Sequence, residues 1–269
     1  GLGQKQQTVL FCCLLCACRN DCYCHYAYIK IPMLLDQLSL EDFMEGQVLL
    51  IDKPLKWSSY QAVNSVKWAI KKKFNIKKIK VGHAGTLDPL ASGLLIICTG
   101  KFTKKITQFQ GQQKTYTGTI SLGHTTPSYD LETDFDGDFK LDHITTEIIQ
   151  KNILQFIGDI QQQPPIFSAL KKEGKRLYEY ARAGETVEIP KRKVHIHHFH
   201  IDPSDFPDLH FNVGCSKGTY IRSLAHDFGI ALESGAHLSA LRRTKIGDFD
   251  VSNALEASTF KDFLGVSDD

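Results

Sequence analysis

One glycine-rich stretch, residues 80–97, constrains the fold more than any other part of the chain. It reads KVGHAGTLDPLASGLLII, so a short strand-like piece leads into an irregular loop and then into an apolar run. Its glycines permit backbone conformations that a Cβ disfavours, and Pro89 drives Asp88 toward an extended conformation. The pattern therefore predicts a stiff loop that presents Asp88 beside a buried strand, as a rigid scaffold presents a reactive side chain.

Taken alone, this loop has two plainer interpretations. An isolated Asp-Pro is most often a turn in which the aspartate caps the backbone. A glycine-rich loop can also bind phosphate, but the stretch has neither the G-x-x-x-x-G-K-[ST] spacing nor the G-x-G-x-x-G spacing. The loop by itself leaves a structural turn and a catalytic aspartate both open.

The composition is that of a chain with an ordinary buried core. It has 269 residues, 42% of them hydrophobic and 23% charged, which suits one large domain or two small ones. The net charge is only +2, so binding of nucleic acid would depend on local basic patches. No apolar run is long enough to span a bilayer, which predicts no membrane association.

Residues 1–44 differ from the rest, since they hold six of the eight cysteines. A zinc site would need a second well-spaced ligand pair beside Cys13 and Cys16. A lipoprotein signal would need a more strongly charged leader before its apolar segment. We therefore interpret residues 1–44 as an extension outside the folded domain, a non-native or upstream-translated leader that adds nothing to catalysis. The other cysteines, Cys98 and Cys215, fit a reducing compartment such as the cytoplasm.

Strand and helix patterns alternate from about residue 46 onward. Ser58 and Gln61 form a capping box that opens an amphipathic helix. Residues 114–122 alternate between apolar and polar positions, as in a strand with one buried face. Further strands are predicted at 47–51, 94–98, 194–201 and 209–215, and helices at 101–109, 146–156, 176–183 and 221–232. This mixture of strands and short helices predicts an α+β fold.

Two segments contain residue types that can bind metal ions, but neither has the pattern of a metal site. Residues 123–140 contain five acids and two glycines, but their spacing fails the EF-hand pattern, so we predict a solvated turn. The predicted strand 194–201 carries four histidines, which are His195, His197, His198 and His200. No carboxylate or cysteine ligand is matched to them, so we predict a half-exposed strand and no metal.

Six strings, in order along the chain, resemble signatures of the TruB family of tRNA pseudouridine synthases. They are GHAGTLDPLASG at 82–93, KTYTG at 114–118, LGHTTPSYD at 122–130, QPPIFSALK at 163–171, SKGTYIRSL at 216–224 and HLSALRRT at 237–244. The resemblance implies a mixed, mostly antiparallel sheet flanked by helices. Residues 45–269 then form one catalytic domain with an RNA-gripping thumb at about 155–184. Too few residues follow Phe249 for the C-terminal PUA module that many family members carry.

The same resemblance implies roles for single residues. Asp88 occupies the position of the catalytic aspartate, and Arg222 that of the arginine that pairs with it. Tyr116 matches a tyrosine that stacks on the target base and is implicated in proton transfer. The implied binding residues are His83, which fills the space left by flipped bases, Tyr220, which lines the pocket, and Leu241, which forms an apolar wall.

Two basic segments are candidates for contact with RNA. In the predicted thumb, Lys171, Lys172, Lys175 and Arg176 alternate with tyrosines, as suits phosphates and stacked bases. The alternative there is a solvated basic helix. The lysines of residues 67–80 lie on and after the first long helix, where a solvated face and an RNA contact are equally open.

The resemblance also implies a reaction, the isomerisation of uridine to pseudouridine in the T loop of tRNA, at position 55. The base must leave its stack to be reached, and the reaction requires no cofactor. The implied enzyme is a cytoplasmic monomer whose partner is the T-arm of tRNA. Two alternatives stay open: a guide-RNA-dependent, dyskerin-like synthase, and an RNA-binding or chaperone protein without activity. The second predicts the loss of Asp88, Tyr116 or Arg222, and all three are present.

Overall fold

The computed structural model describes residues 35–267. Within this range the helices are α1 (Leu40–Glu45), α2 (Ser59–Lys73), α3 (Ile106–Gly111), α4 (Thr146–Ile153), α5 (Leu177–Arg182), α6 (Ile221–Ala231) and α7 (Phe260–Phe263). The strands are β1 (Val48–Lys53), β2 (Val81–His83), β3 (Ala91–Thr99), β4 (Lys114–Leu122), β5 (His124–Thr125), β6 (Gly137–Asp138), β7 (Gly158–Gln162), β8 (Lys171–Lys172), β9 (Lys175–Arg176), β10 (Arg192–Asp205), β11 (Asp208–Cys215), β12 (Ala236–Ile246), β13 (Phe249–Asp250) and β14 (Leu255–Glu256). Short 3₁₀ helices cover Gly100–Lys105, Leu154–Phe156 and Val251–Asn253.

One ten-stranded sheet forms the body of the protein. Its strand order is β14-β1-β3-β12-β4-β11-β10-β7, with β2 paired beside β3 and β13 beside β12. Among the described strands of this sheet, the β1–β14 and β3–β12 pairs are parallel and the other pairs are antiparallel. The prediction of an α+β fold with a mixed, mostly antiparallel sheet flanked by helices is confirmed.

Helix α2 begins where the capping pattern predicts. The Ser58 hydroxyl accepts from the Gln61 amide at 3.2 Å, and the Gln61 side chain accepts from the Ser58 amide at 2.7 Å. In the first turn, the Ser59 hydroxyl accepts from the Leu87 amide at 2.8 Å and donates to the Leu87 carbonyl at 3.0 Å. The start of α2 is therefore joined directly to the residue before Asp88.

A second helix, α6, is anchored by the larger part of the hydrophobic core. Phe228 on α6 contacts Phe156 and Phe199 edge to face, with ring centroids 5.6 Å away in both cases. The core around these rings draws on β4, β10, β11 and β12 as well as α4. Because α6 is packed so firmly, the residues of its first turn have fixed positions on the sheet.

Two predicted helices have different bounds in the structure. The pattern at 101–109 forms a 3₁₀ helix and then α3, and the 3₁₀ part has no side-chain cap at its start. The pattern at 146–156 is α-helical only through Ile153 and 3₁₀ to Phe156. Every helix among residues 35–267 is too short or too polar to cross a membrane.

The predicted boundary at residue 45 lies inside the folded domain. Leu35 and Phe43 are 1% and 0% exposed, and both belong to the core that covers α2. The Phe43 ring lies 5.8 Å from that of Phe74, and its carbonyl accepts from the Thr99 hydroxyl at 2.9 Å. The domain therefore begins at residue 35 or earlier. The rest of the predicted extension, residues 1–34, lies outside the described residues.

This burial gives a stability prediction. Phe43→Ala should lower the free energy of unfolding by about 3–5 kcal/mol, because it removes a buried ring and leaves a cavity. Met44→Ala is the matched control, because the Met44 side chain is next to Phe43 in sequence and 45% exposed. This substitution should lower the free energy of unfolding by less than about 1 kcal/mol. Urea unfolding of the full chain measures both. A loss in Phe43→Ala as small as that expected of the control would show that Phe43 does not support the core.

Candidate active site

The loop between β2 and β3, residues 84–90, holds Asp88 in a fixed place on the sheet. Gly85 has φ +105°, in the region that favours glycine. The buried Arg243 side chain donates to the backbone oxygens of Gly85 at 3.1 Å and Thr86 at 3.5 Å. The stiff loop predicted from the sequence is present, and a guanidinium from β12 holds its backbone.

Asp88 forms an ion pair with Arg222, which lies in the first turn of α6. The distance from Nη2 of Arg222 to Oδ2 of Asp88 is 2.9 Å. Nη1 of Arg222 donates to the carbonyls of Phe167 at 2.9 Å and Ser128 at 3.2 Å. Nε lies 3.7 Å from the Asp130 carboxylate. The arginine side chain is 5% exposed and that of Asp88 is 43% exposed, so the pair presents the carboxylate to solvent.

Asp130 corrects the prediction that residues 123–140 form only a solvated turn. Its side chain is 6% exposed, although the other acids of the segment are exposed. The hydroxyls of Thr126 and Ser128 donate to its carbonyl at 2.6 and 3.1 Å, which folds the chain back on itself. A buried acid needs partners; here the Glu132 amide donates to Oδ1 of Asp130 at 2.9 Å, and Arg222 supplies the opposite charge. Only the string at 122–130 pointed to this residue.

The Asp88–Arg222 pair and Asp130 line a cavity of about 140 Å³. The other lining residues are mostly apolar: Leu55, Leu90, Ala91, Leu131, Leu238, Ser239, Ala240 and Leu241. Leu55 and Leu131 are 54% and 50% exposed, so they mark the side on which the cavity opens to solvent. Apolar walls around one charged pair suit a planar, uncharged ring with polar edges.

Three of the residues predicted for catalysis or the pocket meet in this cavity, namely Asp88, Arg222 and Leu241. Tyr116 lies next to it on β4, 9% exposed, and is not among the lining residues. Burial raises the pKa of its phenol above the usual value, and the nearby Arg243 guanidinium acts in the opposite direction. Tyr116 is therefore a neutral ring with a proton to donate at neutral pH.

The other two predicted pocket residues, His83 and Tyr220, lie beyond the lining. His83 is half-buried on β2, and burial lowers the pKa of its imidazole, which keeps the ring uncharged at neutral pH. The Gln162 side chain bonds to both the amide and the carbonyl of Tyr220, at 2.8 and 3.0 Å. The Arg192 guanidinium lies over the Tyr220 ring, 4.7 Å from its centroid. Neither His83 nor Tyr220 is among the lining residues of the cavity.

Lys53, at the end of β1, supports the opening of the cavity. Its ammonium donates to the carbonyls of Pro54 at 2.9 Å and Trp57 at 2.5 Å. Burial lowers the pKa of this lysine to about 8, although the nearby Asp88 acts in the opposite direction. The Lys56 amide donates to the Pro89 carbonyl at 2.7 Å, so the turn that carries Leu55 is joined to the Asp88 loop.

The four basic residues predicted to bind RNA form a separate surface on the β8–β9 hairpin. Lys171 pairs across the hairpin with Arg176, and both are exposed. Lys172 donates to the Glu188 carbonyl at 2.8 Å, and Lys175 forms an ion pair with Glu185 at 2.9 Å. Lys171 and Arg176 are therefore the members of this set that are best placed to meet an anion.

Histidines of the histidine-rich strand form hydrogen bonds with neighbouring side chains. On β10, His195 bonds to Asp159 at 2.8 Å and His198 to Asn212 at 2.7 Å. Among residues 35–267, no group of three or more His, Cys, Asp or Glu side chains has an arrangement that could hold a metal ion. We therefore assign no role in the site to this strand.

Solved structures share this fold. A chain of a Cbf5–Nop10–Gar1 complex matches with a TM-score of 0.60 and 28% identity, over 88% of this chain and 59% of that one. A chain of an H/ACA RNP bound to a substrate RNA containing 2′-deoxyuridine matches with a TM-score of 0.58 and 26% identity, over 88% and 61% of the two chains. The fold is that of the pseudouridine synthases, so the fold and the cavity define an RNA-modifying enzyme.

Sequence comparison narrows this class to one family. The profile described as TruB family pseudouridylate synthase (N terminal domain) matches residues 71–221, and that of the tRNA pseudouridylate synthase B C-terminal domain matches residues 222–268. The tRNA pseudouridine synthase B of Flavobacterium johnsoniae is 61% identical over 83% of this chain and 98% of its own length. That of Phocaeicola vulgatus is 50% identical over 83% and 95%. The chain belongs to the TruB family of pseudouridine synthases and is an isomerase.

Proposed function

We propose that this enzyme isomerises uridine to pseudouridine at position 55, in the T loop of tRNA, with Asp88 as its catalytic carboxylate. The observation that supports it most is the 2.9 Å pair of Asp88 and Arg222 inside a mostly apolar cavity. The curated relatives, matched along 98% and 95% of their length, are named for tRNA. The T loop and the position within it come from the resemblance of the motifs.

The cavity explains how a base reaches the carboxylate. A nucleotide in a folded loop must leave its stack, which costs a few kcal/mol. The leucines at the opening and the walls of the cavity supply apolar surface for the unstacked ring. Asp88 then lies within the cavity, where it attacks or acts as a base to labilise the C1′–N1 bond.

The reaction conserves the atoms of the substrate. The C1′–N1 bond breaks, the uracil rotates, and a C1′–C5 bond forms. C5 loses its proton and N1 gains one, so the balance needs no oxidant, water or cofactor. Arg222 orients the carboxylate, and Tyr116 on β4 is a buried, neutral phenol. The structure thus provides a carboxylate, a cation that fixes it and a proton-bearing ring.

The activity test separates this proposal from its alternatives. Purified full-length protein is incubated with unmodified tRNA transcripts and no other factor, and pseudouridine is mapped at each position. We expect modification at position 55 alone. Modification that needs an added guide RNA would favour the dyskerin-like alternative, and tight binding without modification would favour a chaperone.

The basic hairpin gives a prediction about binding. Lys171→Gln with Arg176→Gln should flatten the slope of log affinity against log salt by about 1.5 units, because two phosphate contacts are lost. Filter binding of a tRNA transcript between 50 and 200 mM salt measures the slope. The control, Lys140→Gln with Lys151→Gln, removes the same charge from exposed positions outside the hairpin and should leave the slope unchanged. If both double variants show the same slope of log affinity against log salt, the basic residues of the hairpin are solvated and do not contact RNA.

We also expect a cytoplasmic monomer. Cys98 and Cys215 are both buried as free thiols, which fits a reducing compartment.

A further inference from the structure

Basic and acidic residues are unevenly distributed along this chain. Residues 53–129 contain 13 lysines, no arginine and one acid, which is Asp88. The whole chain has 32 basic and 30 acidic residues, so its net charge of +2 hides this division. Only the catalytic carboxylate interrupts a stretch that is otherwise free of negative charge.

Many of these lysines lie on the second half of α2, on the segment that follows it and on the 3₁₀ helix after β3. They define what we call the lysine face: Lys67, Lys71, Lys73, Lys77, Lys78, Lys80 and Lys104. The Gly100 amide donates to the Lys80 carbonyl at 2.9 Å, which brings the 3₁₀ helix with Lys104 beside the segment that follows α2. The segments that carry Lys80 and Lys104 are therefore neighbours in space, although they are separated along the chain.

The lysine face lacks the acids that usually neutralise such a surface. Within the described part of the chain, no carboxylate lies within 4 Å of any of its ammonium groups. Lysines in the last turn of α2 complement the helix dipole, and this accounts for Lys71 and Lys73. It does not account for Lys77, Lys78 and Lys80, which are beyond the helix, or for the absence of acids around them.

The position of the face indicates what it binds. Helix α2 begins at Ser59, which contacts the residue before Asp88, and it is 15 residues long. At about 1.5 Å per residue, its far end lies about 22 Å from the Asp88 loop. A nucleotide in the cavity does not reach that far, whereas a folded RNA that enters the cavity with one loop does.

We propose that the lysine face is a second RNA-binding surface, which holds phosphates of the tRNA outside the T-arm. This rests on the proposed tRNA substrate and adds to it a reason for preferring the whole folded molecule to an isolated stem-loop. Lysines act here as point charges for phosphates, so the contact is independent of sequence and weakens with salt.

The test compares two RNAs with the full chain. Lys77→Gln with Lys78→Gln changes two exposed side chains, so folding is not at risk. When this double variant binds a full-length tRNA transcript, the slope of log affinity against log salt should fall by about 1.5 units. The Kd should rise about tenfold at 0.1 M salt. For an isolated T-arm stem-loop, neither quantity should change. Lys77→Arg with Lys78→Arg should restore wild-type binding, because it keeps both charges.

A catalytic readout separates this inference from the proposed function. At saturating tRNA, the single-turnover rate of the Lys77→Gln, Lys78→Gln variant should stay within twofold of wild type. If the variant binds full-length tRNA as tightly as wild type, or loses equal affinity for the stem-loop, the second surface is overturned. The proposed function is unaffected in that case, provided that the wild-type protein modifies position 55. Absence of modification by the wild-type protein would instead contradict the proposed function. The Lys140→Gln, Lys151→Gln control should match wild type on both RNAs.

Discussion

Replacement of Asp88 by asparagine should abolish pseudouridine formation, with a fall in the single-turnover rate of at least about ten-thousandfold. The amide keeps the size of the side chain but removes the negative charge and the nucleophilic oxygen. Asp88 is the partly exposed carboxylate of the cavity, whereas Asp130 is almost fully buried against Arg222. No other group in the lining can therefore take over its chemistry.

Binding should survive the same change. Phosphate contacts dominate the affinity of proteins for nucleic acid, and Asp88 makes none. We expect the Kd of Asp88→Asn for a tRNA transcript to stay within about threefold of wild type. Asp159→Asn is the control, because it neutralises an exposed, ion-paired aspartate on β7 and should turn over normally. Pseudouridine made by purified Asp88→Asn would show that the catalytic residue is misassigned.

Local patterns were sufficient to predict most of the fold. The capping box at Ser58 and the alternation of residues 114–122 depend on neighbours within a few positions, so sequence alone reveals them. The start of the domain was missed for the same reason. Helix α1 has six residues, too few to show a period, and it is stabilised by contacts of Phe43 with residues far along the chain.

The site was predicted less completely than the fold, because its supporting contacts join distant segments. The local sequence gives Arg243 no role in the site, although its side chain holds the backbone of the Asp88 loop. The sequence predicts Asp130 as part of a solvated turn, since nothing near it in sequence requires burial. A carboxylate or guanidinium that lies deep in a fold is recognised by its partner, and the partner is visible only in three dimensions.

Arg222→Lys tests whether the site depends on the geometry of the guanidinium or only on its charge. The arginine reaches Asp88 with Nη2, the carbonyls of Phe167 and Ser128 with Nη1, and the Asp130 carboxylate with Nε. A lysine has one ammonium on a flexible stem and cannot occupy these directions together. We expect a loss of a hundredfold or more in the single-turnover rate, as for other preorganised polar contacts, with little change in Kd.

The same substitution should also lower stability, so the two effects must be separated. Buried acceptors that lose their donors cost about 1–3 kcal/mol each, and the carbonyls around Arg222 are such acceptors. Arg242→Lys is the matched control, because Arg242 grips Asp52 with two nitrogens at 3.0 and 2.5 Å and does not line the cavity. It should lose stability without losing rate when both variants are assayed well below their unfolding temperatures. A normal rate for folded Arg222→Lys would mean that a positive charge alone orients Asp88, and equal rate losses in the two variants would trace the effect to general loosening of the fold.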